Sequence, residues 1–96
     1  MTCSLSTHVL DTANGKPAAA VRVELRLGND VVAAAETGAD GRAHLADDLE
    51  PGTYALVFMP RSPFFRRVAF DVELEDGHYH VPLLVSPYGI ASYRGS

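Results

Sequence analysis

Several features that quickly assign a protein to a class are scarce or absent in this sequence. Cys3 is its one cysteine, so no disulfide can form within the chain, and the first residues do not resemble a signal peptide. Both features predict a reducing, cytoplasmic setting. No apolar run approaches the roughly 20 residues of a membrane helix, which predicts no membrane partner. The net charge of −4 argues against nucleic acid as a partner.

What remains is the composition of a small globular domain. The chain has 96 residues, of which 47% are apolar, so it is expected to fold as a single domain over residues 1–96. A core of this size is near the lower limit for independent stability, and oligomerisation often supplements such cores. The sequence has no P-loop, dinucleotide fingerprint or CxxC pair that would indicate a familiar cofactor site.

Alternation of apolar and polar residues dominates the sequence and predicts β-strands. Turn signals separate the segments at spacings of roughly 8–12 residues, which is typical of an all-β sandwich or barrel. A stretch rich in proline and arginine, 60–67, contains Pro60 and Pro63, which oppose a helix, so a plain loop is expected there. The predicted strands are 4–10, 21–27, 30–37, a very short one at 42–45, 53–59, 68–74, 78–85 and an extended stretch at 89–94.

The same alternation predicts which side chains face the core. The alternation in 4–10 and 78–85 predicts one outer face with both polar and apolar side chains. Its members are Ser6, His8 and Leu10 of the first strand and His78, His80, Pro82 and Leu84 of the second. The strand 21–27 is expected to bury Val21, Val23, Leu25 and Leu27 and to expose Arg22, Glu24 and Arg26. An outer face that carries leucines should be covered, and a partner subunit is the natural candidate.

Histidines on that outer face are the main candidates for chemistry. His78 and His80 lie two residues apart, which suits either a solvated strand end or zinc ligation, but no third ligand stands at a diagnostic spacing. Arg42 follows the tight turn Gly-Ala-Asp-Gly, where an arginine is usually solvated. If Arg42 converged with His8 and His80, it would lower the histidine pKa values and stabilise an oxyanion. Spacing alone does not establish that convergence.

Other candidates have simpler interpretations. His44 stands beside the turn and is expected at the surface. Cys3 has no evident base and is expected to be structural. The acidic run Asp-Asp-Leu-Glu at 47–50 is expected to be a solvated loop, and Ser6, Ser86 and Ser92 lack the context of a nucleophile elbow.

Two long stretches, 5–25 and the C-terminal 78–96, resemble those of the 5-hydroxyisourate hydrolases of the transthyretin superfamily. The first contains Leu-Ser-Thr-His-Val-Leu-Asp at 5–11, and the second ends in Tyr-Arg-Gly-Ser at 93–96. Gly-Lys-Pro-Ala at 15–18 and Ala-Asp-Gly-Arg at 39–42 match further family motifs. The resemblance implies a transthyretin-like two-sheet β-sandwich of about eight strands. It also implies hydrolysis of 5-hydroxyisourate to 2-oxo-4-hydroxy-4-carboxy-5-ureidoimidazoline in urate catabolism, with no metal or organic cofactor.

The resemblance also implies roles for individual residues. His8, Arg42 and His80 match the catalytic residues of the family, and the tail residues that close its substrate site match Tyr93, Arg94, Gly95 and Ser96. In the family the site lines a channel between the dimers of a homotetramer. The alternative is a non-enzymatic transthyretin-like module that binds a small ligand or peptide in that channel.

The sequence departs from the family pattern in two places. The family usually has a longer segment with a short helix before the strand 68–74, where this chain has only Pro-Arg-Ser-Pro-Phe-Phe-Arg-Arg. Gly-Ile-Ala-Ser at 89–92 replaces a more usual Gly-Tyr-Ser-Thr.

Overall fold

A computed structural model describes residues 1–95, and within that range the chain forms strands and no helix. The nine strands are β1 (Cys3–Asp11), β2 (Lys16–Pro17), β3 (Arg22–Leu27), β4 (Asp30–Glu36), β5 (Arg42–Leu49), β6 (Gly52–Met59), β7 (Val68–Leu74), β8 (Gly77–Ser86) and β9 (Gly89–Ser92). The absence of a helix from residues 1–95 also means that no helix there is long and apolar enough to span a membrane.

The strands form two sheets that enclose one apolar core. One sheet has the order β4-β3-β6-β7, and all of its pairs are antiparallel. In the other sheet β1 is flanked by β8 on one side and by β5 and the short β2 on the other, while β9 pairs with the far side of β8. The prediction of an all-β, two-sheet sandwich is therefore confirmed.

β1 and β8 pair in parallel, and this pair carries the serines and histidines of one outer face. The two strands pair continuously from Cys3 beside Gly77 to Asp11 beside Val85. Their inward side chains alternate with outward ones, and Leu5, Val9 and Leu83 are fully buried as the sequence predicts. Pro82 departs from the expected pattern, because it pairs with His8 on the outward side of β8 and is nevertheless buried. Thr7 also points inward, where its hydroxyl donates a hydrogen bond to the Val81 carbonyl at 2.6 Å. This bond satisfies the one polar side chain that β1 places in the core.

Two expectations for β3 are wrong. Leu27 is 49% exposed because it is the last residue of the strand and precedes the turn at Gly28. Glu24 lies on the outer face as expected, yet it is only 6% exposed, because its carboxylate accepts hydrogen bonds from Arg22 and Arg26 on either side. These two bonds, that of Arg26 first, also hold the pKa of Glu24 below its ordinary value.

The loop at 60–67 agrees with the sequence prediction, whereas β5 is longer than predicted. Residues 60–67 contain no helix, so the expected plain loop is confirmed. The strand expected at 42–45 extends instead over Arg42–Leu49, because it pairs with β1 beyond register shifts near Leu5. The acidic run 47–50 was expected to be a loop, but its first three residues belong to this strand.

The turn before β5 depends on Gly41. Its backbone has a φ of 77°, and a β-carbon built there would stand 2.4 Å from the carbonyl oxygen of Val9. The Gly41 carbonyl accepts a hydrogen bond from the Val9 amide at 2.7 Å, which joins the turn to β1. Glycine is therefore required here both by the left-handed conformation and by the close approach of two backbones.

Gly41→Ala should consequently destabilise the protein by more than the roughly 1–2 kcal/mol of a left-handed alanine. Gly28→Ala is a matched control, because Gly28 also has a positive φ of 61° but has nothing within 4 Å of a built β-carbon. Urea unfolding followed by circular dichroism measures both losses. Equal losses in the two variants would contradict the contact between Gly41 and β1.

Candidate active site

Three adjacent strands bring the predicted histidines and arginine onto one outer face. His8 of β1 pairs with Arg42 of β5, and Ser6 pairs with His44 of β5 on one side and His80 of β8 on the other. Because paired residues of neighbouring strands point to the same face, these side chains share the surface away from the core. The convergence of His8, Arg42 and His80, which spacing alone left open, is thus a consequence of strand register.

The turn that precedes β5 also orients His8. The Nε2 atom of His8 lies 2.8 Å from the carbonyl oxygen of Asp40. A carbonyl oxygen only accepts hydrogen bonds, so Nε2 of His8 carries a proton and donates it in this bond. The Asp40 side chain accepts a hydrogen bond from the Arg42 amide at 3.0 Å, so the same turn positions both residues.

A hydroxyl on β1 contacts the ring of His80. The Oγ atom of Ser6 lies 2.9 Å from Nδ1 of His80 and 3.1 Å from Nε2 of His78. On its other side, His78 contacts the hydroxyl of Ser4 through Nδ1 at 2.6 Å. Sequence reasoning set Ser6 aside as a nucleophile and did not detect this contact. The available signal was parity, because Ser4, Ser6 and His8 share one face of β1.

The environment of His80 favours a neutral imidazole. Burial is the largest cause that lowers its pKa from the ordinary value, and the positive charge of Arg42 follows, with smaller effects from His8 and His78. Both causes disfavour the imidazolium form, one through loss of hydration and the other through repulsion. A neutral imidazole is able to accept a proton from water near pH 7.

The C-terminal tail reaches the site through Gly95. Its amide donates a hydrogen bond to the His80 carbonyl at 2.7 Å, and a β-carbon built on Gly95 would lie 2.9 Å from Cδ2 of the His80 ring. Arg94 points elsewhere, because its guanidinium lies 4.3 Å from the centre of the Tyr79 ring on the inward side of β8. Tyr93 is 56% exposed, and Ser96 lies outside the described residues.

Within one chain the tail therefore contributes backbone to this face at Gly95. Arg94, which the resemblance assigns to substrate binding, lines instead an open groove of about 550 Å³ beside β7. This groove lies on the other side of β8 from His80.

The remaining candidates take no part in this cluster. His44 shares the outer face, but its Nε2 lies 3.0 Å from Asp47 and its side chain is 54% exposed, as expected for a surface residue. Cys3 is buried, and burial, with a smaller effect of Asp76, raises the pKa of its thiol, which disfavours the reactive thiolate. Among residues 1–95, no three histidine, cysteine or acidic side chains are grouped to hold a metal ion.

A five-stranded and a four-stranded sheet, with His8, His80 and Arg42 together on one outer face, place the protein among the transthyretin-like sandwiches. The chain belongs to the HIUase/Transthyretin family, whose model matches residues 5–95. The family resemblance of the sequence motifs is thereby confirmed.

Individual relatives agree with this assignment. The 5-hydroxyisourate hydrolase of Caulobacter vibrioides is 47% identical over 112 aligned positions that cover 96% of this chain and 97% of that protein. The structure of the Klebsiella pneumoniae 5-hydroxyisourate hydrolase matches with a TM-score of 0.89 at 34% identity, and 100% of both chains is covered. Sea bream transthyretin, solved with thyroxine, matches at a TM-score of 0.85 and 23% identity over 95% of this chain and 93% of its own, which shows the fold alone.

The electrostatic role of Arg42 can be tested without substrate. Arg42→Gln should raise the pKa of His80, because it removes a positive charge that opposes protonation. The pKa should nevertheless stay below about 6.5, the ordinary histidine value, because burial is the larger cause and is retained. Titration of the His80 ring protons by NMR measures the midpoint.

Arg22→Gln is the matched control, since Arg22 pairs with Glu24 on the other sheet and should leave His80 unchanged. An identical His80 midpoint in wild type and Arg42→Gln would contradict the proximity of the two groups.

Proposed function

We propose that this protein is an enzyme that hydrolyses 5-hydroxyisourate to 2-oxo-4-hydroxy-4-carboxy-5-ureidoimidazoline in urate catabolism. The observation that carries the proposal is the convergence of His8, Arg42 and His80 on one face of a chain that belongs to the HIUase/Transthyretin family. Relatives that cover nearly the whole chain are named 5-hydroxyisourate hydrolases, among them the Deinococcus radiodurans protein at 44% identity. The reaction takes place in the cytoplasm.

The chemistry is general-base hydrolysis of a cyclic amide. His80, held neutral, takes a proton from water while the water oxygen bonds to the ring carbonyl carbon. Arg42 stabilises the negative charge that develops on the carbonyl oxygen. The carbon–nitrogen bond then breaks, and the leaving nitrogen receives the electron pair and the proton from His80. His8, whose Nε2–H donates a hydrogen bond to the backbone carbonyl of Asp40, orients the water or substrate.

The family resemblance assigns all four tail residues to the substrate. Gly95 borders the His80 ring, whereas Tyr93 and Arg94 line the groove on the other side of β8. Ser96 carries the same assignment and lies outside the described residues. Arg94 would need to leave Tyr79 to reach a substrate beside His80.

His8, Arg42 and His80 lie on the outer face of a sheet, so one chain does not enclose the substrate. Leu10 and Leu84 pair beside the histidines on the outer face and are only half-buried, so two copies that meet through this face exclude water and strengthen the electrostatic effect of Arg42. Such a contact has two-fold symmetry and places equivalent sites in one channel. A second contact through strand edges completes a homotetramer, a dimer of dimers, and protects the exposed edges.

Activity is tested in a coupled assay in which urate oxidase generates the substrate from urate. The protein should accelerate decay of the 5-hydroxyisourate absorbance above the spontaneous rate. Unchanged decay at high protein concentration would reject the hydrolase and favour the non-enzymatic module that binds a small ligand or peptide.

The site assignment is tested by His8→Ala, Arg42→Ala and His80→Ala, each measured in the same assay. Each should lower turnover by about two orders of magnitude, the usual contribution of positioned acid–base groups, and should leave folding intact because the side chains avoid the core. His44→Ala is the control on the same face and should retain activity, since His44 contacts Asp47. A folded, fully active His80→Ala protein would overturn the role of His80.

The assembly is tested by light scattering and dilution. The mass in solution should be near four chains, and activity should fall together with the tetramer population on dilution or in mild urea. Because the proposed site lies between copies, a fully active monomer would show that one chain builds the site alone.

A further inference from the structure

Ser6 lies between His78 and His80, and it has no role in the reaction described above. Its hydroxyl lies within hydrogen-bond distance of Nε2 of His78 and of Nδ1 of His80. The continuous pairing of β1 with β8 fixes Ser6 directly beside His80, so the contact is built into the sheet. Ser4 extends the series by contacting the second nitrogen of His78.

The number of protons restricts how these groups bond. A serine hydroxyl has one proton and two lone pairs, so Ser6 donates to at most one imidazole, and when it does so it accepts from the other. In one such arrangement His80 donates from Nδ1 to Ser6, Ser6 donates to His78, and His78 donates from Nδ1 to Ser4. In the reverse arrangement every proton shifts along the series, and His80 then carries its proton on Nε2. Whenever Ser6 donates to one of the two rings, it couples the tautomers of His78 and His80.

Only the first arrangement suits a general base. Nδ1 of His80 contacts Ser6, so a water molecule or substrate can reach a ring nitrogen only at Nε2. The Gly95 backbone lies against Cδ2, the ring carbon bonded to Nε2. A lone pair on Nε2 requires the proton to be on Nδ1. We propose that Ser6, with His78 as its acceptor, is a positioning residue that holds His80 in the Nδ1–H tautomer and directs the Nε2 lone pair to the reacting water. This inference rests on the proposed function, because it takes His80 to be the base.

The tautomer is measured directly by two-dimensional NMR that correlates ring protons with the nitrogen-15 shifts of labelled histidines. In the wild type above pH 7, His80 should show a protonated Nδ1 and an unprotonated Nε2. Ser6→Ala should move the nitrogen shifts of His80 toward the Nε2–H form or a mixture. A wild-type His80 with its proton on Nε2, or unchanged His80 shifts in folded Ser6→Ala, would overturn the proposal.

Kinetics supply a second readout that a purely structural role would not produce. Ser6→Ala should lower kcat about tenfold or more and change KM little, because the base is misdirected while substrate contacts remain. Ser6→Thr retains a hydroxyl and suits a strand, so it should restore both kcat and the Nδ1–H tautomer. A Ser6→Ala enzyme with wild-type kcat would also overturn the proposal.

Ser4→Ala is the matched comparison. It removes a hydroxyl from the same strand face and keeps the contact between Ser6 and His80, so its loss of kcat should be smaller than that of Ser6→Ala. An equal or larger loss in Ser4→Ala would contradict the role assigned to Ser6. If the wild type has no hydrolase activity, the proposed function fails, and the nitrogen shifts of His80 still report whether Ser6 sets its tautomer.

Discussion

The parallel pairing of β1 with β8 is the constraint on which the site depends. Its register joins Ser6 to His80 and His8 to Pro82, while the intervening Thr7 and Val81 face the core. A slip by one residue would place core residues beside polar ones along the whole pair, so burial of the inner face holds the outer face in register. The same apolar packing that stabilises the sandwich therefore also sets the positions of the histidines.

Two glycines allow other segments to approach this pair closely. Gly41 lets the turn before β5 contact the Val9 backbone, which brings Arg42 beside His8. Gly95 lets the tail lie against the His80 ring. In both places any larger side chain would meet backbone or ring atoms at less than 3 Å, so the geometry of the site depends on residues that have no chemistry of their own.

The electrostatics of the face follow from partial burial beside a cation. His80 loses hydration on the sheet and is repelled by Arg42, so it stays neutral where an exposed histidine would begin to protonate. His8 is oriented by a backbone carbonyl, and His80 by a hydroxyl. A neutral His80 and an oriented His8 beside a permanent positive charge are suited to moving a proton while stabilising an oxyanion.

Most of the strand pattern and the parity of the side chains followed from the amino-acid sequence. Alternation in 4–10 and 78–85 was sufficient to separate the core leucines and valines from the outward histidines, because successive side chains of a regular strand point to opposite faces. The family motifs then pointed to His8, Arg42 and His80. Local patterns were less informative where neighbouring residues determine the exposure of a side chain. Leu27 is exposed because the strand ends there, and Glu24 is buried because two arginines cover it.

The contacts of those side chains depend on how distant strands pair. The meeting of His8 with Arg42 and of Ser6 with two histidines joins residues more than 30 positions apart, through strand pairing that no local pattern encodes. The position of Arg94 over Tyr79 likewise depends on which side of β8 the tail follows. Sequence periodicity specifies the face on which a side chain lies, whereas register between distant strands specifies its neighbours, and the chemistry of this site depends on the neighbours.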